Sequence, residues 1–376
     1  MRIGIVGGGP AGLYFALLMK KHKPAHEIRV VEQNPADNTY GWGVVFSDRA
    51  LSYLEESDHD SYVDIADSLE IWDKQAIVHR GQRVAIEGSI FSGIARIQLL
   101  RILQAHCQRL GVKIQFETTV TDLEAFSDCD LIVGADGVNS FIREEYSAHF
   151  QPSLDVRSNK YVWYGTNQTF DALTLTFREN QDGVFVAHSY RHSKKTSTFI
   201  VECNAATWAK AGFDSMSDEE SRSYCEELFK DDLGGQPLLS NKSIWINFIV
   251  VNNQRWSYKN VVLIGDALRT VHFSIGSGTR TALEDAIALY QAFSANRDVA
   301  MALREFEEAR KPVGSQLLEI AHHSLIWYEN FRDKMGLDPI PFAYDYMMRG
   351  GRVDHEKLRE RDPEFIAAYE AYKGRT

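Results

Sequence analysis

The sequence predicts an α/β fold in which a parallel-sheet domain is interrupted by an antiparallel sheet and followed by a helical region. Three observations predict it. Residues 2–32 read as strand, helix and strand, which is typical of a βαβ unit with a parallel sheet. From about Tyr161 the chain changes to short alternating strands separated by turn residues, as in antiparallel sheets. After Thr279 it is mostly helical.

The order of these patterns predicts the domain organisation. Residues 1–155 and 255–300 are expected to form one discontinuous domain, because strand-helix character returns near Val261. Residues 156–254 would form an inserted β-sheet subdomain, and residues 301–376 a C-terminal helical region. We find no internal repeat and no low-complexity linker in the sequence.

Each element follows from its local pattern. Apolar runs bounded by Gly, Pro or Asn predict strands, and apolar residues three or four apart predict helices. In chain order the pattern predicts strand Arg2–Val6, helix Ala11–Lys21, strand Glu27–Glu32, helix Arg96–Leu110, strands Val112–Phe116 and Leu131–Gly134, a last antiparallel strand at Ile244–Val251, and helices around Met301–Trp327 and Asp362–Tyr372.

Composition excludes several classes of protein. An apolar fraction of 44% and a charged fraction of 25% are ordinary globular values. The net charge of −11 argues against a nucleic-acid-binding protein and against attachment to an anionic membrane. The four cysteines show neither C-x-x-C pairing nor metal-ligand spacing, so reduced thiols and no metal site are expected. They are Cys107, Cys129, Cys203 and Cys225.

The apolar N-terminus resembles a short signal peptide, but its details favour a folded strand and helix. Three consecutive glycines and Pro10 break the apolar run, and no small-residue cleavage site follows it. No later run reaches the roughly 20 apolar residues that a membrane span needs. We therefore expect a cytoplasmic protein without membrane partners.

The first functional motif is the glycine-rich stretch between the first strand and the first helix. Residues 7–12, GGGPAG, fit G-x-G-x-x-G, in which Gly7 permits the turn, Gly9 lets a diphosphate approach and Gly12 allows close packing. Glu32 lies twenty residues after Gly12, where a carboxylate can hold ribose hydroxyls. An acidic residue there favours FAD or NAD over NADP. The sequence therefore predicts a Rossmann-like dinucleotide site.

Two further segments are ambiguous by themselves. In residues 131–143, LIVGADGVNSFIR, the Asp136-Gly137 pair is usually just a turn, Ser140 could cap a helix and Arg143 could fix the loop. Residues 261–286 read as a strand, a Gly-Asp turn at Asp266 and a glycine-containing loop before a helix. Because only one G-x-G-x-x-G exists, we interpret both as auxiliary elements closing over the same ligand. FAD held in an extended form needs such an arrangement.

Together the three segments resemble the class A flavin-dependent aromatic hydroxylases, the group of p-hydroxybenzoate hydroxylase. The resemblance spans residues 1–300 in the expected order. It implies an FAD-dependent monooxygenase that hydroxylates an aromatic ring through a flavin C4a-hydroperoxide, with NADH or NADPH as transient reductant and O₂ as oxidant. The discontinuous domain would then bind FAD, and the inserted sheet would bind the substrate.

The resemblance also implies roles for individual residues. Asp266 would hold the ribityl chain, Asp136 and Arg143 would serve FAD and the pyridine nucleotide, and residues 276–279 would offer N–H groups to the flavin pyrimidine end. The full set of expected cofactor-binding residues is Gly7, Gly9, Pro10, Ala11, Gly12, Glu32, Gln33, Gly43, Arg96, Val120, Asp136, Asp266, Gly276, Gly278 and Thr279.

Departures from the common pattern narrow the resemblance. Arg269 and Phe273 replace the usual histidine and proline of the last motif. With residues 40–48 (YGWGVVFSD) and 159–166 (NKYVWYGT), the stretch HFSIG at 272–276 is similar to two groups. One hydroxylates salicylyl-CoA or anthraniloyl-CoA at the ring 5-position, and the other is the violacein-pathway hydroxylase of a tryptophan-derived indole. Residues 277–286 and 359–365 are closer to the acyl-CoA group.

We therefore expect 5-hydroxylation of an aryl-CoA thioester by a single hydroxylase module. Hydroxylation of an indole in natural-product biosynthesis is the alternative, and a non-catalytic protein that binds FAD or substrate is an alternative of a different class. No W-x-W-x-I segment typical of flavin halogenases is present.

The substrate contacts rest on residue type alone. Aromatic residues beside the flavin either line a cavity or belong to the core, and the candidates are Trp42, Tyr164, Phe177, Phe185 and Phe273. His272 either acts catalytically on a ring hydroxyl or amino group, or fixes its loop, whereas His188 reads as a sheet residue. The basic hairpin around Arg191, with His192, Lys194 and Lys195, is either a solvated turn or a grip on CoA phosphates. From these, Trp42, Tyr164, Phe273 and Arg191 are the expected substrate contacts, and His272 is the catalytic candidate.

Overall fold

The computed structural model describes residues 1–375, apart from the side chains of residues 47–50. Within this part of the chain the α/β class predicted from the sequence is confirmed, with three sheets and helices packed around them. The strands are β1 Arg2–Val6, β2 Glu27–Val31, β3 Gly43–Ser47, β4 Glu70–Trp72, β5 Gln75–His79, β6 Gln82–Ile86, β7 Phe91–Ala95, β8 Lys113–Gln115, β9 Leu131–Gly134, β10 Pro152–Thr166, β11 Leu173–Asn180, β12 Gly183–Arg191, β13 Ser197–Cys203, β14 Leu238–Leu239, β15 Ile246–Asn253, β16 Ser257–Tyr258 and β17 Val261–Leu263.

The helices lie between these strands and in the C-terminal third of the chain. They are α1 Pro10–His22, α2 Asp48–Ser57, α3 His59–Ala66, α4 Arg96–Arg109, α5 Phe141–Glu145, α6 Ser147–Phe150, α7 Ala205–Ala211, α8 Asp218–Leu228, α9 Lys230–Leu233, α10 Gly278–Ala295, α11 Val299–Asn330, α12 Pro339–Met348, α13 His355–Arg361 and α14 Pro363–Lys373. Within residues 1–375, none of these helices combines the length and the apolar character needed to cross a bilayer.

The first sheet has the order β16-β17-β9-β1-β2-β8. Its strands are parallel except for the short β16, which pairs antiparallel with β17. The strands read as continuous apolar runs because helices cover the sheet, and α1 contributes a nearly unbroken buried stretch from Ala11 to Met19. This arrangement brings the carboxyl ends of β1, β9 and β17 to one edge. Those ends carry the three predicted motifs.

The second sheet has the order β14-β10-β13-β12-β11-β5-β6, with β15 paired to β10. It is antiparallel except where β5 pairs parallel with β11. Residues 75–86 therefore belong to the sheet that the sequence assigned to residues 156–254, a contribution that the local pattern did not indicate. The domain boundaries themselves stay a prediction.

The two faces of this second sheet are covered by different helices. Alternate residues of β10, such as Val162 and Tyr164, lie in a core cluster with residues of α8 and α9. On the other face Phe177 and Val186 pack against α11, α12 and α14. Near β10 and β15 that second face carries half-buried aromatic side chains instead of a closed core. This is the face that lies toward the end of β17.

A small antiparallel sheet, β3-β7-β4, stands between the other two. Gly43 at the start of β3 donates its N–H to the Thr198 hydroxyl at 3.0 Å, and the Tyr190 hydroxyl donates to the Gly43 carbonyl at 2.7 Å. These bonds connect the small sheet to β12 and β13. The sequence pattern did not indicate this sheet or the helices α2 and α3.

Candidate active site

The glycine loop after β1 has the form that a dinucleotide needs. Gly7 has φ +107°, and a Cβ there would lie 2.2 Å from the Ala135 carbonyl oxygen. A Cβ on Gly12 would lie 2.2 Å from the Gly7 carbonyl oxygen, so neither position admits a side chain. At Gly9, by contrast, a Cβ would meet no atom of the described residues within 4 Å. The loop is therefore tightly packed at Gly7 and Gly12, and it leaves open space at Gly9. Pro10 and Ala11 then begin α1.

Glu32 lies beside this loop. One carboxylate oxygen accepts the Gly8 N–H at 2.7 Å, and the other accepts the Asn34 N–H at 2.8 Å. The Asn34 side-chain amide also donates to the second oxygen, at 2.7 Å. These bonds fix the loop against the end of β2, and the oxygen bonded to Gly8 keeps a lone pair for a ribose hydroxyl. Gln33 is exposed next to it, and Val120 is half-buried against the core.

The Asp136–Arg143 segment braces the site from within. The Asp136 carboxylate accepts from the Ser140 hydroxyl at 2.6 Å and from the Ile142 N–H at 3.1 Å. Burial raises the pKa of Asp136, and the Ser140 bond opposes this. The buried Arg143 donates to the Val138 carbonyl and, at 3.1 Å, to the Ala267 carbonyl. The capping and loop-fixing roles considered for Ser140 and Arg143 are therefore present, whereas direct contact of Asp136 with a cofactor stays a prediction.

The turn after β17 meets the glycine loop. Gly265 has φ +62°, and a Cβ there would lie 3.2 Å from the Cβ of Ala11 in α1. The side chain of Asp266 in this turn is exposed to solvent, yet burial among protein groups raises its pKa, while Arg96 lowers it. A side chain that is both accessible and surrounded by protein lies on the floor of a deep cleft. Asp266 thus faces open space beside the N-terminus of α1.

Arg96 lies in the same cleft. Burial lowers the pKa of its guanidinium, and the negative charges of Asp266 and Glu32 oppose this shift. Its Nε is buried without a hydrogen-bond partner among the described residues. An orphaned donor of a charged group is costly unless a ligand satisfies it. Arg96 therefore fits a polar ligand that extends from Glu32 to Asp266.

The far end of the cleft is the N-terminus of α10. Gly276, with φ +59°, ends a short turn, and α10 begins at Gly278. The first hydrogen bond there runs from the Thr281 N–H to the Ser277 carbonyl at 2.9 Å, so the N–H groups of Gly278 and Thr279 have no partner within the described part of the chain and can serve a ligand. These N–H groups and the positive end of an 18-residue helix suit an electron-rich ring edge.

An aromatic cluster lies near this end, around Phe273. Its ring centroid is 4.7 Å from Tyr161, 4.3 Å from His272, 5.3 Å from His188 and 6.1 Å from Phe248. Phe273, Tyr161 and Phe248 are only half-buried, so they present ring surface to the cleft. Phe273 begins the short turn that ends at Gly276, so the cluster lies next to the N-terminus of α10. The arrangement suits a planar aromatic ligand.

The structure places Tyr164, an expected substrate contact, away from the cleft. Its side chain is 1% exposed and lies in the core on the opposite face of the sheet, where its hydroxyl is 3.1 Å from the Ser221 hydroxyl. Side chains alternate along β10, so Tyr161 faces the cleft and Tyr164 cannot. Phe177 and Phe185 are core residues as well.

The basic hairpin around Arg191 does not present a cluster of unpaired positive charges for CoA phosphates. Arg191 forms an ion pair with Glu70 at 3.1 Å, so the expected substrate contact at Arg191 is not supported by the structure. His192 is buried, and its burial lowers its pKa to about 4, which keeps it neutral. Only Lys194 and Lys195 are exposed, which is the solvated turn.

Trp42 and Gly43 pack closely at the edge of the second sheet. A Cβ on Gly165 would lie 2.5 Å from the Trp42 ring, and a Cβ on Gly43 would lie 2.4 Å from the Cβ of His192. Packing therefore accounts for both glycines. The half-buried Trp42 has an Nε1 without a partner among the described residues, so its substrate contact stays a prediction, as does the cofactor contact of Gly43.

His272 is held by its own loop. Its Nδ1 lies 2.8 Å from the Ser274 hydroxyl, which lies 2.8 Å from the Ser324 hydroxyl. Burial lowers the pKa of His272 to about 4, although Glu202 acts in the opposite direction. His272 is therefore a neutral imidazole fixed by hydrogen bonds and in contact with the aromatic cluster. Its catalytic role stays a prediction.

Sequence reasoning missed Tyr161, Phe248 and Glu202. Tyr161 and Glu202 are direct cross-strand partners, and their side chains share the face that meets Phe273. The alternation of side chains along β10 could have indicated Tyr161, because Tyr161, Trp163 and Gly165 lie on the same face of the strand, opposite to Tyr164. No local signal marks Phe248 or Glu202, because their places depend on strand pairing.

The cleft bounded by the glycine loop, Arg96 and Asp266 fits an extended dinucleotide such as FAD. A profile of the FAD binding domain family matches residues 124–321, and the chain belongs to this family. It is 38% identical to a salicyloyl-CoA 5-hydroxylase of a Streptomyces species over 97% of this chain and 72% of that protein. It is 35% identical to protodeoxyviolaceinate monooxygenase of Chromobacterium violaceum over 93% and 94% of the two chains.

The chain is also similar in sequence to a third relative and in fold to two solved structures. The chain is 34% identical to 3-hydroxy-4-methyl-anthranilyl-[aryl-carrier protein] 5-monooxygenase of Streptosporangium sibiricum, over 95% of this chain and 97% of that protein. The fold matches 2-methyl-3-hydroxypyridine-5-carboxylic acid oxygenase with a TM-score of 0.71 and 17% identity, covering 95% of both chains. It matches PqsL of Pseudomonas aeruginosa with a TM-score of 0.69 and 18% identity, covering 89% and 98%. The protein is an FAD-dependent aromatic monooxygenase that uses NAD(P)H and O₂.

Proposed function

We propose that this monooxygenase hydroxylates the ring 5-position of a 2-hydroxybenzoyl or 2-aminobenzoyl thioester, such as salicylyl-CoA or anthraniloyl-CoA. Two of the three relatives described above have names that combine a 5-hydroxylation with an aryl group carried on CoA or on a carrier protein. An ortho hydroxyl or amino group donates electron density to the position para to it. That position is the ring 5-carbon in both substrates.

The observation that carries this proposal is the charge of the aromatic cluster. The buried Glu202 contributes a negative charge near His272 and Tyr161. The two arginines nearby are already engaged: Arg157 pairs with Glu329, and Arg349 lies 3.7 Å over the Tyr346 ring and donates to the Ser274 carbonyl. The rings around Phe273 belong to Tyr161, His188, Phe248 and His272. None of these described side chains offers a fixed positive charge that could pair with a carboxylate.

A free benzoate would therefore place its carboxylate beside Glu202 without a partner, which is unfavourable. A thioester carries no such charge. Its ring would lie among Tyr161, Phe248 and Phe273, which exclude water and fix the ring plane. When bound, FAD supplies the activation of O₂, and these side chains supply the orientation of the ring toward it.

A substrate screen with the FAD-loaded protein tests this proposal. We expect salicylyl-CoA or anthraniloyl-CoA to stimulate NAD(P)H oxidation at least about tenfold more than the free acids, a difference of about 1.4 kcal/mol in transition-state binding. Mass spectrometry should show one added oxygen, and NMR of the hydrolysed product should place it at the 5-position. Equal stimulation by free salicylate or anthranilate would refute the thioester preference.

A tryptophan-derived indole is the second candidate, and the 35% identity to protodeoxyviolaceinate monooxygenase favours it. The same aromatic cluster suits the indole ring. The screen therefore includes tryptophan and free indole. A higher kcat/KM with either of these than with the CoA esters would favour this candidate over the thioester.

A further inference from the structure

A buried carboxylate–imidazole pair lies directly under the aromatic cluster. Glu202 is 1% exposed, and its carboxylate accepts from the Asn159 amide at 2.7 Å. Its second oxygen lies 3.2 Å from His188 Nε2, and His188 is buried as well. A buried carboxylate is costly to desolvate and contributes little to stability compared with apolar residues, so its presence calls for another explanation.

Strand pairing places this pair on the face of the sheet that meets the cleft. Tyr161 of β10 stands directly opposite Glu202 of β13, and His188 of β12 is the diagonal neighbour of Glu202. The His188 ring centroid lies 5.3 Å from Phe273 and 4.9 Å from Tyr328. The imidazole therefore reaches the aromatic cluster, while the carboxylate lies behind it.

The carboxylate determines which nitrogen of His188 can accept a proton. An ionised carboxylate only accepts hydrogen bonds, so His188 Nε2 carries the hydrogen of the bond to Glu202. Burial raises the pKa of Glu202, but hydrogen bonds from His188 and Asn159 and the nearby imidazoles outweigh this and leave the pKa lowered, which favours the ionised form. The neutral ring then has an unprotonated Nδ1. Nδ1 has no hydrogen-bond partner among the described residues. It is also not among their completely buried polar atoms that lack a partner, so a ligand can reach it.

We propose that His188 is the base that takes the proton of the substrate's ring hydroxyl or amino group during hydroxylation, and that Glu202 is its positioning residue. In this step the ring O–H or N–H bond breaks and its electron pair stays on the ring substituent, which enriches the para carbon. The proton forms a bond with His188 Nδ1 and later leaves to solvent. The identity of the ring substituent rests on the proposed function; the carboxylate–imidazole arrangement does not.

His272 is less suited to this task. Its Nδ1 is engaged with the Ser274 hydroxyl at 2.8 Å, and burial lowers its pKa to about 4, which makes it a weak base. A buried carboxylate behind His188, in contrast, stabilises the imidazolium that forms when a proton arrives. His272 can still donate a hydrogen bond through Nε2.

The groups that face His188 come from every element packed against it. Glu202 approaches from β13, His272 from the loop before α10, and Tyr328 from α11. Burial raises the pKa of Tyr328 well above its ordinary value, so it stays neutral. Arg157 and Glu329 lie further out and offset each other. Glu202 is thus the charged group in direct contact with His188.

The test uses the FAD-loaded protein with salicylyl-CoA and anthraniloyl-CoA as probes. We expect His188→Gln to lower kcat/KM about 10²-fold or more. Glu202→Gln removes the charge that favours imidazolium, so the acidic fall of the kcat/KM profile should move to lower pH and the plateau should drop about tenfold or more. Glu202→Asp should restore part of the plateau.

His79→Gln is the matched control. His79 is buried in β5 of the same sheet, but it stacks on Phe342 away from the cleft, so its replacement should leave the profile in place. A His188→Gln variant within threefold of the wild-type kcat/KM, or a Glu202→Gln profile that superimposes on the wild type, would overturn the proposal.

A second measurement does not depend on turnover. In the substrate-free wild type, ¹⁵N-histidine NMR should show His188 as the Nε2–H tautomer, with the signal assigned by its loss in His188→Gln. The Nδ1–H tautomer would overturn the proposal. If neither CoA ester is turned over by the wild type, the proposed substrate is wrong, and this tautomer measurement still decides the status of His188. If His188→Gln does not fold, Glu202→Asp supplies the assignment through its shifted signal.

Discussion

Replacing Asp285 by alanine should destabilise the fold through a buried charge cluster behind the cofactor turn. The Asp285 side chain is 0% exposed. One oxygen accepts from Arg269 at 2.6 Å and from Arg310 at 3.1 and 3.2 Å, and the other accepts the Gly265 N–H at 3.2 Å. Arg269 has no alternative acceptor among the described residues, since its Nε and Nη1 are already buried without partners.

The magnitude follows from what the substitution leaves behind. Removing one partner of a buried ion pair typically costs about 3–5 kcal/mol, because the remaining charge stays desolvated. For 376 residues the unfolding entropy is about 0.8 kcal/mol per degree, so Tm should fall by about 5 °C. The Gly265 bond also holds the turn that carries Asp266, so the Asp285→Ala variant should bind FAD more weakly.

Differential scanning fluorimetry of the FAD-free protein and FAD titration by fluorescence quenching measure the two effects. Glu227→Ala is the matched control, because Glu227 forms an exposed ion pair with Lys230 that contributes little to stability. An Asp285→Ala protein with a Tm within about 1 °C of the wild type would refute the reasoning. An unchanged FAD affinity would refute the proposed role of the Gly265 hydrogen bond in holding the turn that carries Asp266.

Three further predictions concern the cofactor cleft and acid stability. Asp266→Ala should lose FAD, and a fully loaded yellow variant would refute the ribityl assignment. Gly9→Val should keep the Tm of the FAD-free protein while FAD affinity falls at least about tenfold, because space around Gly9 is open; Gly7→Val should lower that Tm, because its Cβ would meet the Ala135 carbonyl. The pKa of His192 falls to about 4 on folding, so the unfolded chain binds more protons than the folded protein below pH 6.5. The free energy of unfolding should therefore decrease between pH 6.5 and pH 4, by up to about 3 kcal/mol. In thermal melts, His192→Asn should lose less stability over this pH range than the wild type, and an equal loss would contradict the assignment.

The sequence predicted the parallel half of the fold well because its signals are local. The run from Arg2 to Val6, the glycine loop and the start of α1 lie within a few residues of one another. The resemblance to class A hydroxylases then led to the family, which the comparisons confirm. The glycine positions follow from backbone sterics, which depend little on distant residues.

The aromatic cluster could not be predicted in the same way. Tyr161 and Tyr164 are three residues apart and similar in type, and only the pairing of β10 with β13 decides which one faces the cleft. The Glu202–His188 pair joins two strands by a diagonal contact that no single strand reveals. Arg191 looked free because its partner, Glu70, lies far away in the sequence.

The pairing of β5 with β11 has a consequence for protein engineering. Leu173 lies beside Gln75 although about 100 residues separate them along the chain. A loop of that length closes late, and contacts of high sequence separation slow folding. A chimaera that exchanges the substrate-facing sheet between relatives therefore has to carry two separate stretches of sequence, residues 75–86 as well as the main insertion. Cutting the gene only at the ends of the insertion would leave β11 with a foreign neighbour.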